Sequence, residues 1–232
     1  MLKIDKIFFI NLNRRPERKI HFENQCIKHK IPAEQVLRMP AIDGLSYNFT
    51  ENELSMFSKA NFLNNNIIAK KIMGNQLSHY YLLKHIIIEK HKYAIICQDD
   101  VVFKDNFIFY INKIIDDLPE GVEIINLGLH KYAEYNDFIN WDLNSNNDKE
   151  YICESLHNDF IGLWKKSLNP CSLAYIVTLN GAINIVNYFE QNGFNKATDM
   201  NYNEYLINNN IFYGSTSVLA TTNMTFESDI FC

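Results

Sequence analysis

Gln98-Asp99-Asp100 follows directly on an apolar run, Tyr93-Ala94-Ile95-Ile96-Cys97. Adjacent carboxylates at the end of a buried strand pay a desolvation penalty unless a cation offsets it. A divalent metal bound to a diphosphate would do so, with the carboxylates holding the metal and the metal holding the phosphates. Oxygen donors select hard ions, Mn2+ or Mg2+. A second group, Asn11-Leu12-Asn13-Arg14-Arg15-Pro16-Glu17-Arg18, joins a strand end to a helix start, where guanidinium groups and free amides attract phosphate. A third, Gly74-Asn75-Gln76-Leu77-Ser78-His79, puts polar side chains at the expected start of a helix, suited to a sugar. Ser78 and His79 are neighbours in sequence and do not share a helix face, which argues against a nucleophilic pair. The fourth is Thr198-Asp199 with Glu204 following, acids able to take a proton from an attacking hydroxyl. Each group also has a plain structural reading: a capped loop, a solvated basic helix face, a capped helix with a satisfied histidine, a surface acid.

The elements that must position these groups alternate. Strands are expected at Lys6–Leu12, Ala33–Ala41, Tyr93–Cys97, Val122–Gly128, Ser172–Thr178 and Phe212–Ala220. Helices are expected at Pro16–His29, Gly74–Lys90, Phe107–Leu118 and Ala182–Asn192, with a short one in Thr198–Asn208. Val101–Phe103 continues in extended form, Tyr47–Ile68 reads as loop with short helices, and the tail from Thr225 runs over the surface. This order predicts an α/β fold, a mostly parallel central sheet flanked by helices in one domain, 1–232. Ligands then gather at the carboxyl ends of the strands, which singles out Asn11, Asp99, Asp100 and Gly128. From Leu129 to Lys166 the pattern dissolves, and a variable, partly mobile excursion is expected there.

The bulk numbers exclude several classes. The 232 residues carry a net charge of -5, unlike a protein that binds nucleic acid by neutralising its backbone. No Walker or dinucleotide glycine loop is present, and no His-x-x-x-His or Cys-x-x-Cys spacing suggests zinc. Five scattered cysteines read as free thiols in a reducing compartment. No signal peptide or transmembrane segment is legible, so a soluble, cytoplasmic protein is expected, as a monomer or an oligomer.

Taken in order, these motifs resemble glycosyltransferase family 25, which includes lipooligosaccharide (lipopolysaccharide biosynthesis) and collagen galactosyltransferases. The resemblance is carried by Asn11-Leu12-Asn13-Arg14-Arg15-Pro16-Glu17-Arg18, Arg38-Met39-Pro40-Ala41-Ile42-Asp43-Gly44, Gly74 to His79, Gln98-Asp99-Asp100, Leu127-Gly128, Tyr175 with Gly181-Ala182, Asp199, and Ser228-Asp229-Ile230. It implies a GT-A-like fold, a UDP-sugar donor, Mn2+ or Mg2+, and inverting transfer of galactose or glucose to a glycan, a lipid-linked sugar or a hydroxylysine. It implies that Asp99 and Asp100 hold the metal, with Gln98 beside them. Asn11, Arg14, Arg38 and Asp43 then line the nucleotide crevice, Asn75, Ser78 and His79 face the donor sugar, and Asp199 or Glu204 is the base. Two positions depart from the pattern. Gln98 stands where the family has an acid, removing one charge from the metal site, and Asn75 stands where it has a cysteine. Gln98 keeps a catalytically degenerate member in view. A carbohydrate-binding protein using Tyr132, Tyr135, Trp141 and Trp164 as stacking platforms is the alternative from another class.

Overall fold

The computed structural model describes residues 2–60, 63, 66–129, 151–167, 172–209 and 211–230. The chain runs β1 (Lys6–Asn11), α1 (Pro16–Lys28), a 3-10 turn (Ala33–Gln35), β2 (Val36–Pro40), α2 (Glu51–Met56), α3 (Asn66–Glu89), β3 (Tyr93–Gln98), β4 (Val101–Phe103) and α4 (Phe107–Asp116). It continues with β5 (Ile124–Asn126), β6 (Gly128–Leu129), β7 (Tyr151–Leu156), β8 (Ile161–Ser167), β9 (Ala174–Thr178), α5 (Leu179–Asn192), α6 (Thr198–Asn208), β10 (Phe212–Ser215) and β11 (Ala220–Thr222).

Eight strands form one sheet in the order β2-β1-β3-β9-β5-β10-β8-β7. β9 runs antiparallel to β3 and β5, and β8 antiparallel to β10 and β7. The other six strands share one direction, so the expected α/β sheet is present, with β9 reversed at its centre. A small second sheet, β4-β11-β6, sits beside it.

Both faces of the central strands are buried, which is why they read as continuous apolar runs. Phe8 and Ile10 of β1, Ala94 and Ile96 of β3, and Tyr175 and Val177 of β9 enter one core, with Leu77, Leu83 and Ile86 of α3 and Ile185 and Phe189 of α5. Ile7 and Phe9, Ile95 and Cys97, and Ala174 and Ile176 enter the other, with Phe22 and Cys26 of α1 and Ile111 and Ile114 of α4. Each such side chain stabilises the fold by roughly 1.5–3 kcal/mol, and the two cores clamp the strand ends in register. Cys26 and Cys97 are buried free thiols.

Several elements differ from the sequence expectation. α3 starts at Asn66, not Gly74, so Gly74 lies inside a long helix. Its hydrogen would be replaced, in any other residue, by a Cβ only 2.5 Å from the Ile42 carbonyl oxygen and 2.7 Å from the Gly44 nitrogen. Gly74 marks the contact of α3 with the loop after β2, and the backbone continues through it. α5 starts at Leu179 because the Thr178 hydroxyl accepts from the Gly181 amide at 2.9 Å, converting an expected turn into a capped helix. The expected final strand is split: β10 stays in the large sheet and β11 crosses to the small one. Within the segment expected to lack pattern, β7 and β8 form a hairpin, and a register irregularity between them obscures the alternation. Residues 130–150 of that segment, including Tyr132, Tyr135 and Trp141, lie outside the described residues, as does the Trp164 side chain. Among the described residues no helix is long and apolar enough to cross a membrane.

Candidate functional site

β1 and β3 are parallel neighbours with Ile10 opposite Gln98, so Asn11 and Asp99 leave the sheet side by side. Asn11, 2% exposed, donates from Nδ2 to Asp99 Oδ2 at 2.6 Å and to the Arg15 carbonyl at 3.0 Å. Its Oδ1 accepts from Arg38 Nε at 2.8 Å, and Arg38 also donates to Asn13 Oδ1 at 2.7 Å. One amide thus ties the ends of β1, β2 and β3 together. From α1, Arg18 Nη1 lies 3.2 Å from Asp99 Oδ1 and 3.7 Å from Asp100 Oδ2. Burial raises the Asp99 carboxyl despite these partners. Burial and the charge of Asp99 push Asp100 up to about 6. Asp100 Oδ1 is buried and has no hydrogen-bond partner among the described residues.

That orphaned oxygen beside a second carboxylate suits a hard divalent cation, so the residues present fit the metal expected from the sequence. Among the described residues no group of three or more His, Cys, Asp or Glu forms a ready metal cage. Two carboxylates with the remaining positions left to phosphate and water oxygens is a donor set Mg2+ and Mn2+ accept. Gln98 does not point its amide into this pair; Nε2 donates to Ser172 Oγ at 2.9 Å.

The basic cluster is held by acids from distant parts of the chain. Arg14 Nε donates to Asp43 Oδ2 at 2.7 Å and Nη1 to Asp229 Oδ1 at 2.6 Å, which makes Arg14 still more basic. Arg15 Nε lies 3.2 Å from Asp229 Oδ2. Arg18 donates to the Glu227 carbonyl and stands 5.2 Å over the Phe226 ring. The tail therefore lies across the cluster. Beside it an open crevice of about 420 Å³ is lined by Asn13, Arg14, Asp43, Ser46 and Tyr47, among others.

The middle of α3 abuts the loop carrying Asp43. Ser78 is buried; its hydroxyl accepts from the Ile42 amide at 2.8 Å and donates to the Gly74 carbonyl at 2.7 Å. His79 is 1% exposed, and its Nδ1 shares a 2.8 Å hydrogen bond with the Tyr175 hydroxyl while Nε2 has no partner among the described residues. Burial lowers His79 to about 3, so its ring is neutral. Asn75 is partly exposed and donates to Thr198 Oγ1 at 3.1 Å, which brings the start of α6 against α3.

Asp199 lies in the first turn of α6, where the helix N-terminus favours an acid. Its Oδ1 accepts from the Met200 amide at 2.9 Å, and burial raises the carboxyl to about 6. Glu204 points elsewhere: five residues on, it lies about 140° around the helix and pairs with Lys196 at 2.8 Å. The structure thus brings Asn11, Arg14, Arg38, Asp43, Asp99 and Asp100 together, links Asn75 to the Asp199 turn, and sets Glu204 apart. Ser172 and Tyr47 had no sequence signal as site residues. Asp229 and its neighbours were visible only through the terminal motif.

Comparison with known proteins identifies relatives of the chain. The family model of glycosyltransferase family 25 (LPS biosynthesis protein) matches residues 4–202. A glycosyltransferase 25 family member of Drosophila melanogaster is 27% identical over 194 residues, 80% of this chain and 28% of that protein. The inactive glycosyltransferase 25 family member 3 of Mus musculus is 26% identical over 118 residues, 49% of this chain and 19% of that protein. The chain thus spans less than a third of the length of these curated relatives.

Proposed function

The chain belongs to glycosyltransferase family 25, and from that premise we propose that it transfers a hexose, galactose or glucose, from a UDP-sugar to an acceptor hydroxyl with inversion. The observation that carries this reading is the orphaned Asp100 oxygen beside Asp99, which Asn11 and Arg38 connect to the Asn13 edge of the crevice holding Arg14 and Asp43. Asp99 and Asp100 would hold Mn2+ or Mg2+, which when bound offsets the charge developing on the leaving diphosphate.

The chain's own residues do the rest. Asn11 fixes the Asp99 carboxylate and Arg38 in one plane of contacts, so the donor meets a preorganised edge. Arg14 and Asp43 line the nucleotide crevice. Asn75 faces the donor sugar, and Ser78 and His79 support that wall from beneath, Ser78 by gripping the Ile42 backbone and His79 by gripping Tyr175. Asp199 takes the acceptor proton, its carboxyl tuned by burial toward neutral pH. Glu204 is the weaker candidate because Lys196 holds it. The acceptor class is a glycan, a lipid-linked sugar or a hydroxylysine, and lipopolysaccharide assembly is one setting that would supply it.

The test is UDP release from a panel of UDP-sugars, with and without Mn2+, for the wild type and Asp100→Ala. Turnover of one UDP-sugar only with metal, abolished in Asp100→Ala, supports the reading. A second reading, a family member that binds the donor without turnover, is kept by Gln98, whose amide is spent on Ser172. It predicts metal-dependent UDP binding with no release from any donor when acceptors of all three classes are supplied.

A further inference from the structure

The loop after β2 folds back on itself, with the Ser46 and Tyr47 amides donating to the Asp43 carbonyl at 3.0 and 2.9 Å. It delivers Tyr47 to the crevice wall, beside Arg14 and Asp43. The Tyr47 hydroxyl donates to Glu53 Oε1 at 2.9 Å, and 36% of the residue is left exposed. Phe49 supports the ring edge-on at 5.2 Å.

Glu53 is an unusual anchor. It is 4% exposed, yet its carboxylate takes four donors: the hydroxyls of Tyr47, Tyr81 and Thr50 and the Thr50 amide, at 2.7–2.9 Å. The Thr50 hydroxyl accepts in return from the Glu53 amide, a capping box that fixes the start of α2. Such charge-assisted bonds are the strong ones and hold the acceptor in one place. The phenol ring is thus pinned at its backbone and at its hydroxyl, with its apolar surface turned to an open crevice.

We propose that Tyr47 is the stacking platform for the uracil ring of the donor nucleotide, and that Glu53 is the positioning residue that holds the platform in place. This rests on the reading of the crevice as the UDP-sugar site. Asp99 and Asp100 do not line the crevice but connect to its Asn13 edge through Asn11 and Arg38; in this reading the diphosphate lies toward them, Asp43 meets the ribose, and the Tyr47 ring is the flat, weakly polar surface left in the lining for the base. Stacking on an aromatic ring has no need of further hydrogen bonds to contribute affinity.

The experiment is calorimetric titration of UDP and of inorganic pyrophosphate, with Mg2+ present, into the wild type, Tyr47→Ala, Tyr47→Leu, Tyr47→Phe, Glu53→Gln and the double variant Tyr47→Phe/Glu53→Gln. Tyr47→Ala is expected to weaken UDP about tenfold or more, with pyrophosphate unchanged. Tyr47→Leu, which keeps apolar bulk in the loop but no aromatic face, is expected to do the same. Tyr47→Phe removes the ring's bond to Glu53, and Glu53→Gln removes the charge that strengthens that bond and the three beside it; each is expected to weaken UDP about threefold, and the double variant by less than the product of the two. UDP binding unchanged in Tyr47→Ala or Tyr47→Leu, or UDP and pyrophosphate weakened equally, overturns the platform while leaving the donor site standing. A wild type that binds pyrophosphate but not UDP, or neither, overturns the donor reading and the platform with it.

Discussion

Substituting Gly74 by alanine tests the packing that shapes the site, because two effects of opposite sign meet there. In an exposed helix interior the change stabilises by roughly 0.5–1 kcal/mol, through the entropy glycine loses on folding. Here the new Cβ would lie 2.5 Å from the Ile42 oxygen, 2.7 Å from the Gly44 nitrogen and 3.0 Å from the Gly44 Cα. All three are backbone atoms, so no rotamer change relieves the contact. Overpacking of this kind costs roughly 1–3 kcal/mol, and the net expectation is a loss of up to roughly 2.5 kcal/mol. At this chain length each kcal/mol lowers the Tm by roughly 2–4 °C. The relief must come from the 41–44 loop moving off α3, which lengthens the 2.8 Å bond from the Ile42 amide to Ser78 and pulls Asp43 from Arg14. UDP affinity should fall with stability. Urea unfolding followed by circular dichroism, with UDP titration of the same sample, measures both. A Gly74→Ala variant more stable than the wild type, with UDP affinity intact, would refute the close approach and the role given to it.

Asn11→Ala removes the donor to Asp99 and the acceptor for Arg38 at a buried point; a loss of about 2 kcal/mol or more is expected in urea unfolding, and metal-dependent activity should go with it. Asp199 as base must be ionised, so kcat/KM should fall as the pH drops through about 6, and Asp199→Asn should lose turnover while retaining UDP binding. The same shift has a stability consequence. The folded carboxyl holds its proton more tightly than the unfolded one, so its contribution is full below the ordinary value of 3.8 and is lost as the pH rises through about 6. Asp199→Asn should therefore raise the Tm at pH 7.5 and leave it unchanged at pH 3.5. Mn2+ should raise the Tm of the wild type but not of Asp100→Asn, read by thermal shift with and without a chelator.

How much of this was legible in the chain depends on range. β1, α1, β3 and α4 carry their own signals: dense apolar runs, Pro16 in the first helical turn, and the 3.6-residue spacing of Phe107, Ile111 and Ile114. The strand-end rule singled out Asn11 and the Asp99-Asp100 pair, and they lie at the carboxyl ends of the neighbouring strands β1 and β3. What failed depended on partners far away in sequence. Gly74 looked like a helix start because glycine weakens helices locally, and only the Ile42 backbone explains it. The burial of Ser78 and His79 was likewise not legible, because their partners, Ile42 and Tyr175, come from other elements. The hairpin of β7 and β8 was hidden by its irregular register. Tyr47 sits in an Asn-rich stretch without periodicity, and its meaning appears only with Glu53 folded beneath it.

The bond between Arg14 and Asp229 joins residues 215 positions apart. On the ribosome, Arg14, Arg15 and Arg18 emerge with their nearer acids, Glu17, Asp43, Asp99 and Asp100, following in turn, and Asp229 comes last. Long-range contacts of this kind form late, since chain entropy must be overcome first. The covering of the cluster by the tail is therefore among the last contacts to take shape, and a nascent chain arrested short of Asp229 would leave Arg14 and Arg15 with fewer acidic partners than the finished fold gives them.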